Sequence, residues 1–264
     1  MSELPKNIIE VAVNSAIEAG KATLKYFRSP SLIISAKADA SPVTAADKES
    51  EKIIRRNVKK YFPGHGIIGE EYGETPGTDP VKWIIDPLDG TRTFVRGVPY
   101  YGVLIGIEVE GEIEAGVVHM PALNETFYAR KGGGSFENNR QIHVSEIADF
   151  ESATFIITSS SDALLDNEKR TGYLAIQKRA QRQRGMGDCY GHMLVASGRA
   201  EIMLDARMHP WDCAALKIIV EEAGGMFTDW NGNKTIYGDS AVSVNAALSS
   251  KVQNLLRSSV VAAL

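Results

Sequence analysis

The order of hydrophobic patterns changes near the middle of this chain, and that change limits the folds open to it. Before residue 145, two amphipathic helical stretches are followed by a series of strand patterns; after residue 151, strand and helix patterns alternate. Consecutive strands joined by tight turns build antiparallel sheets, whereas alternation builds an α/β arrangement. The sequence therefore predicts an N-terminal α+β part, residues 1–147, and a C-terminal α/β part, residues 148–264.

Within the first part, Ile9, Val13, Ala16, Ile17, Leu24 and Phe27 recur at helical spacing over residues 5–27, and Ser29-Pro30 ends the run. A strand is predicted over 32–35, then a polar loop through Lys37, Asp39 and Ser41-Pro42. Thr44-Ala45-Ala46-Asp47 has the form of a capping box, and Ile53, Ile54, Val58 and Phe62 give the second helix its buried stripe. Residues 66–69 read as a short strand that delivers Glu70 and Glu71. Residues 103–109 and 113–120 around Glu110-Gly111 predict a hairpin, extended by 126–129 and 141–144. In the second part, strands are predicted at 155–158, 200–204 and 226–229, and helices at 164–178, 188–197, 211–223 and 249–260.

Residues 83–94, WIIDPLDGTRTF, are where chemistry concentrates. Trp83-Ile84-Ile85 reads as a buried strand, and Asp86 and Asp89 follow around Pro87, which cannot continue a strand ladder. Gly90-Thr91 then turns the chain toward a short helix. Carboxylates at a strand end can hold a hard divalent cation, and N–H groups at a helix start can hold phosphate oxygens. An ordinary acidic turn has the same residue types. Asp47, Glu70 and Asp212 also lie at element ends, with Glu71 a further candidate. Helix capping alone accounts for Asp47 and Asp212, and a solvated loop for Glu70-Glu71. If these carboxylates converge, they need a cation to offset their repulsion.

Composition narrows the classes of function. The net charge of −4 leaves no basic footprint for nucleic acid. No apolar run approaches the ~20 residues of a membrane span. The N-terminal MSELPKNIIEV lacks the basic and apolar regions of a signal peptide. Cys189 and Cys213 form no C-x-x-C pair, so a reduced, cytoplasmic compartment is expected. The five histidines have no ligand-like spacing, which argues against zinc.

Several ordered motifs then carry a resemblance. Trp83–Thr91, W-I-I-D-P-L-D-G-T, is similar to the signature of the inositol monophosphatase family. So is His209-Pro210-Trp211-Asp212-Cys213-Ala214-Ala215 with Glu222-Ala223-Gly224-Gly225. Gly69-Glu70-Glu71 and Thr44-Ala45-Ala46-Asp47 fall where the family's other acidic motifs fall, and residues 128–134 resemble its Gly-rich hairpin. The resemblance implies a layered αβαβα fold and a Mg²⁺-dependent phosphomonoesterase, usually a homodimer. By position, Glu70, Asp86 and the Leu88 carbonyl would hold one Mg²⁺. Asp86, Asp89 and Asp212 would hold a second, and Glu70 with water a third. Thr91 would pair with Asp47 to activate water, and the Gly90 and Thr91 N–H groups would bind phosphate.

Three features bear on the ester. Arg92 with Arg96-Gly97-Val98-Pro99, and Gly187-Asp188-Cys189-Tyr190-Gly191, resemble the histidinol-phosphate phosphatase branch. Asp205 stands seven positions before Asp212, where inositol enzymes generally carry Glu. Asp188 and Asp205 can pair with a cationic amine, which histidinol phosphate has and inositol phosphate lacks. Asp188 alternatively caps the helix that follows it. The expected substrate is histidinol phosphate, with Arg92, Gly187, Asp188, Asp205 and Asp212 contacting it. Inositol 1-phosphate or a broad range of monoesters is the alternative, and a non-catalytic phospholigand-binding protein the remote one.

Overall fold

The computed structural model describes residues 4–30, 32–36 and 42–261. Helices α1 (Ile8–Leu24) and α2 (Ala45–Tyr61) flank a small hairpin of β1 (Ile34–Ala36) and β2 (Pro42–Thr44). The polar loop predicted through Lys37, Asp39 and Ser41 lies outside the described residues. The start of α2 is set locally. The Thr44 hydroxyl accepts from the Ala46 N–H at 3.1 Å, and the Asp47 carboxylate accepts from the Thr44 N–H at 2.8 Å. Orphan donors of the first turn are satisfied in this way.

Next come β3 (Gly66–Gly69), β4 (Gly73–Thr75), β5 (Val81–Asp89) and the short helix α3 (Thr91–Val95). Strands β6 (Gly102–Val109), β7 (Glu112–Met120), β8 (Glu125–Arg130), β9 (Gly134–Glu137) and β10 (Arg140–Ile142) follow. They form one eight-stranded sheet in the order β10-β9-β8-β7-β6-β5-β3-β4, antiparallel except where β3 and β5 run parallel. Strand β5 does not stop at Pro87, as the sequence suggested. It continues to Asp89 through a bulge: Asp86 faces Leu104 and Asp89 faces Gly102, so two residues oppose one. A bulge leaves a residue out of the ladder, which is where proline's missing N–H is tolerated.

The remaining elements are β11 (Thr154–Ile157), α4 (Ser160–Leu165), α5 (Asn167–Arg179), β12 (Arg182–Arg184), α6 (Asp188–Ala196), β13 (Ile202–Asp205), α7 (Pro210–Glu222), β14 (Met226–Thr228), β15 (Ala241–Val244) and α8 (Ser249–Val261). Their strands make a mixed sheet in the order β12-β11-β13-β15-β14. The single helix predicted over residues 164–178 is two, because Asp166 adopts extended backbone and caps α5 at the Glu168 and Lys169 N–H groups.

Strand alternation assigns the two faces of the large sheet. Trp83, Ile85, Val103 and Ile105 pack against Ile8, Ala12, Ile54 and Val58 of α1 and α2. Ile84, Leu104 and Val118 face the other way, onto Met193 of α6 and Leu216 and Ile219 of α7. Met203 and Ile156 of the second sheet cover α6 from beyond. The far face of that sheet carries Phe155, Ile202 and Val244 against Ile176 of α5 and Val252 of α8. The layers are thus α, β, α, β, α, as expected. Gly106 and Gly116 lie directly beneath Ala214 and Ala215 and leave no room for a Cβ, so α7 presses close on the sheet. That approach fixes where the start of α7, and Asp212 with it, is held. Among the described residues, no helix is long and apolar enough to cross a membrane.

Candidate active site

The parallel pairing of β3 and β5 brings their C-terminal ends to one edge of the sheet. Gly69 is paired with Ile85, and the Glu70 N–H donates to the Ile85 carbonyl at 3.2 Å, so Glu70 emerges beside Asp86. The bulge then places Asp89 at the same edge, and α7 brings Asp212 over it. Single carboxylate oxygens of Asp86, Asp89 and Asp212 lie within 4.8 Å of one another. They line a cleft of ≈ 230 Å³ together with Glu70, Leu88, Gly90, Thr91, Arg92, Asp188 and Asp205. Asp47 sits behind it, and Gly187 lies outside the lining, packed on Thr158. Glu71 does not line the cleft, so that candidate is withdrawn; its backbone N–H is turned toward α2 instead.

Each clustered carboxylate spends one oxygen on a backbone donor. Asp86 accepts from Leu88 N–H at 2.8 Å, Asp89 from Cys189 N–H at 2.6 Å, and Asp212 from His209 N–H at 2.7 Å. These bonds aim the groups but do not offset their mutual repulsion. Burial, then the charges of Glu70, Asp89 and Asp212, push the Asp86 carboxyl well above the usual carboxylate range. Burial, then Asp188 and Asp212, do the same to Asp89. Asp212 is pushed up to about 6, chiefly by burial. Oxygen donors crowded this closely fit a hard divalent cation such as Mg²⁺. The two thiols do not compete as ligands: burial pushes Cys189 and Cys213 well above the usual thiol range.

Thr91 opens α3 after Gly90, whose φ of 82° is left-handed. The Thr91 hydroxyl lies 3.0 Å from Asp47 Oδ1 and 3.0 Å from the Leu88 carbonyl. The other Asp47 oxygen accepts from the Thr44 N–H and hydroxyl at 2.8 and 2.6 Å. Burial raises the Asp47 pKa.

Asp188 does not cap α6. Gly187 occupies the cap position without a side-chain bond, and Asp188 itself has φ 52°. Its N–H donates to the Thr158 hydroxyl at 2.7 Å, and its Oδ2 accepts from the Thr93 hydroxyl at 2.9 Å. Such backbone is unfavourable by roughly 1–2 kcal/mol outside glycine, with Asp among the better tolerated, and it persists where surroundings enforce it. Asp188 is thereby turned into the cleft beside Gly90, and burial, then Asp205, push it up to about 6. Asp205 ends β13, is 4% exposed, and meets His192 Nε2 at 3.2 Å.

Sequence reasoning overlooked the groups that hold these residues. Ser50 and Glu51 follow Asp47 by three and four positions, on the same face of α2. The Ser50 hydroxyl donates to the Pro87 carbonyl at 2.7 Å and so clamps the bulge. Glu51, wholly buried, accepts from Glu71 N–H at 2.7 Å, Tyr72 N–H at 3.3 Å and Arg55 Nε at 2.6 Å. Polar residues on an otherwise apolar helical stripe were the available signal.

Comparison with known proteins agrees with this geometry. The histidinol-phosphatase of Chlorobaculum parvum is 46% identical over 241 residues, covering 91% of this chain and 93% of its own. That of Mycobacterium tuberculosis is 35% identical over 247 residues, covering 92% and 95%. The crystal structure of extragenic suppressor protein suhB from Bartonella henselae superposes with a TM-score of 0.89 at 30% identity, covering 96% and 99%. Residues 4–263 match the inositol monophosphatase family. With that match running almost end to end, the chain belongs to the inositol monophosphatase family and is a phosphoric monoester hydrolase.

Proposed function

We propose that this protein is a Mg²⁺-dependent phosphatase that hydrolyses histidinol phosphate to histidinol and phosphate, as a step of histidine biosynthesis. The observation that carries the choice of ester is the pair Asp188 and Asp205 on the cleft wall. Two carboxylates there suit an ester whose alcohol part bears an ammonium group, whereas inositol offers hydroxyls only. The likeness to two histidinol-phosphatases supports the same choice.

In this reading Glu70, Asp86, the Leu88 carbonyl, Asp89 and Asp212 hold the metal. When bound, Mg²⁺ supplies charge that offsets the phosphate and makes water more acidic. The N–H groups of Gly90 and Thr91, both on the cleft wall, would bind the phosphate oxygens, and Arg92 is exposed at its rim. Thr91 takes a proton from the attacking water at Oγ1 while passing its own to Asp47 Oδ1, 3.0 Å away. Asp47, its pKa raised by burial, is suited to accept it. The water oxygen forms a new P–O bond, the ester P–O bond breaks, and the leaving alkoxide takes up a proton from solvent water, to which Asp47 returns the proton it accepted.

The test is kcat/KM for histidinol phosphate beside inositol 1-phosphate, each with and without Mg²⁺. Histidinol phosphate is expected to be better by about tenfold or more, the effect of one charge-assisted contact. A preference for inositol 1-phosphate would overturn the substrate, and release independent of metal would overturn the mechanism.

Glu51 should matter without touching the cleft. Glu51→Gln breaks the charged contact with Arg55 and loosens the turn bearing Glu70. The Mg²⁺ concentration for half-maximal activity is expected to rise about 10- to 100-fold, the usual effect of losing an outer partner of a ligand. A Mg²⁺ titration at saturating substrate measures this, and an unchanged midpoint would refute the positioning role.

A further inference from the structure

One fully buried ionisable group near the cleft is not used by the mechanism above. His192 is 0% exposed and lies on α6, four residues after Asp188. Its Nε2 lies 3.2 Å from Asp205 Oδ2, and its Nδ1 lies 2.7 Å from the Ser243 hydroxyl. Ser243 belongs to β15, the antiparallel neighbour of β13, where it is paired with Met203, two residues before Asp205. Phe227 flanks the ring with centroids 6.0 Å apart.

The two ring nitrogens are committed to different partners, Nε2 to an Asp205 carboxylate oxygen and Nδ1 to the Ser243 hydroxyl, which can donate or accept. The chain Ser243, His192, Asp205 thus runs from the interior of the second sheet to the cleft wall, and it occupies one oxygen of Asp205. The other oxygen is left for the cleft. Helix α6 accordingly supplies one carboxylate of the pair directly, as Asp188, and orients the second through His192.

We infer that His192 is a positioning residue for substrate choice, holding Asp205 in the orientation in which it receives the cationic part of the ester. The inference rests on the proposed preference for an ammonium-bearing phosphate ester. It predicts an effect confined to such esters, because His192 touches neither the carboxylates that gather at the bulge nor Thr91.

The experiment compares kcat/KM for histidinol phosphate with kcat/KM for glycerol 1-phosphate, an ester with no cationic group, at saturating Mg²⁺. In His192→Leu the ratio of the two should fall about tenfold, the effect of losing a hydrogen bond to a charged group, mostly through KM for histidinol phosphate. His192→Gln, which retains an N–H donor, should restore most of the ratio. An equal loss on both esters, or no loss in the ratio, would overturn the inference. Should His192→Leu not fold, Ser243→Ala decides: with one of the two hydrogen-bond anchors of the ring removed, a fall of about threefold supports the chain, and an unchanged ratio refutes it. A wild-type protein without preference for histidinol phosphate sinks the proposed substrate and this inference together. A wild-type preference that survives in the variants sinks the inference alone.

Discussion

Asp89→Asn should lower kcat by about a thousandfold, the scale of losing one preorganised charge-stabilising group, and yet make the metal-free protein harder to unfold. Asp89 is one of three carboxylates whose oxygens lie within 4.8 Å of one another. Its charge helps push up Asp86, so neutralising it removes a repulsive partner from a buried cluster. The amide oxygen of Asn still accepts from the Cys189 N–H, so the contact that aims the side chain survives. The metal-free variant should therefore gain about 1 kcal/mol, the size of a pKa change of roughly one unit. Steady-state kinetics with Mg²⁺ and urea unfolding in chelator measure the two effects. Their opposite signs separate a site that binds metal from a residue that merely supports the fold. Wild-type activity in a folded Asp89→Asn protein would rule Asp89 out as a ligand.

The metal-free protein should also lose stability as pH rises, and Mg²⁺ should reverse the trend. Asp47, Asp86, Asp89, Asp188 and Asp212 all have raised pKa values in the fold, with Asp188 and Asp212 at about 6. Between the unfolded carboxylate value and these folded values, the native state binds more protons than the unfolded chain. Stability is therefore greatest at the acid end and falls by about 1.4 kcal/mol per pH unit for each such group inside its window. Glu18, Glu49 and Asp166 are lowered instead, and their contribution is already complete above about pH 5. His65 is lowered and His119 is pushed down to about 4; both favour the fold as pH rises toward 6.5, against the larger set of carboxylates. Melting of chelator-treated protein at pH 5 and pH 7.5 should show the lower Tm at pH 7.5. Added Mg²⁺ should raise Tm far more at pH 7.5, where the ligands are ionised. Equal melting at both pH values without metal would contradict the crowding of these carboxylates.

Much of the site was legible because its parts are signalled locally. Asp86, Asp89, Gly90 and Thr91 follow one another at a strand end, and Asp47 and Asp212 stand at the third positions of helices with recognisable starts. What escaped depends on partners distant in the chain. Local rules favour Asp188 as a cap, but Thr93 and Thr158 draw it into the cleft from other elements. Glu51 and His192 have roles set only by what crosses their helices. Among strands, β2, β4, β9, β12 and β15 went unread, since three or four residues hold too little periodicity to announce themselves. Pro87 misled for a related reason: it forbids a regular ladder, and the bulge that admits it belongs to two strands at once.

One of those overlooked strands sets the address of the whole site. The three residues of β4 are exposed and pair only with β3, so they bury almost nothing. They carry the chain back down the sheet, and Thr78 and Asp79 then pass beneath the start of β3, their N–H groups on the Gly64 carbonyl. Only after this return can β5 set out in the same direction as its neighbour. A direct hairpin from β3 into β5 would have sent Glu70 and Asp86 out of opposite rims, about 13 Å apart for a strand of four residues. No single ion could bridge that gap. The segment following Glu70 is therefore a return path with a minimum length. It can be lengthened freely at the surface, but it cannot be cut to a tight turn while the two carboxylates remain side by side.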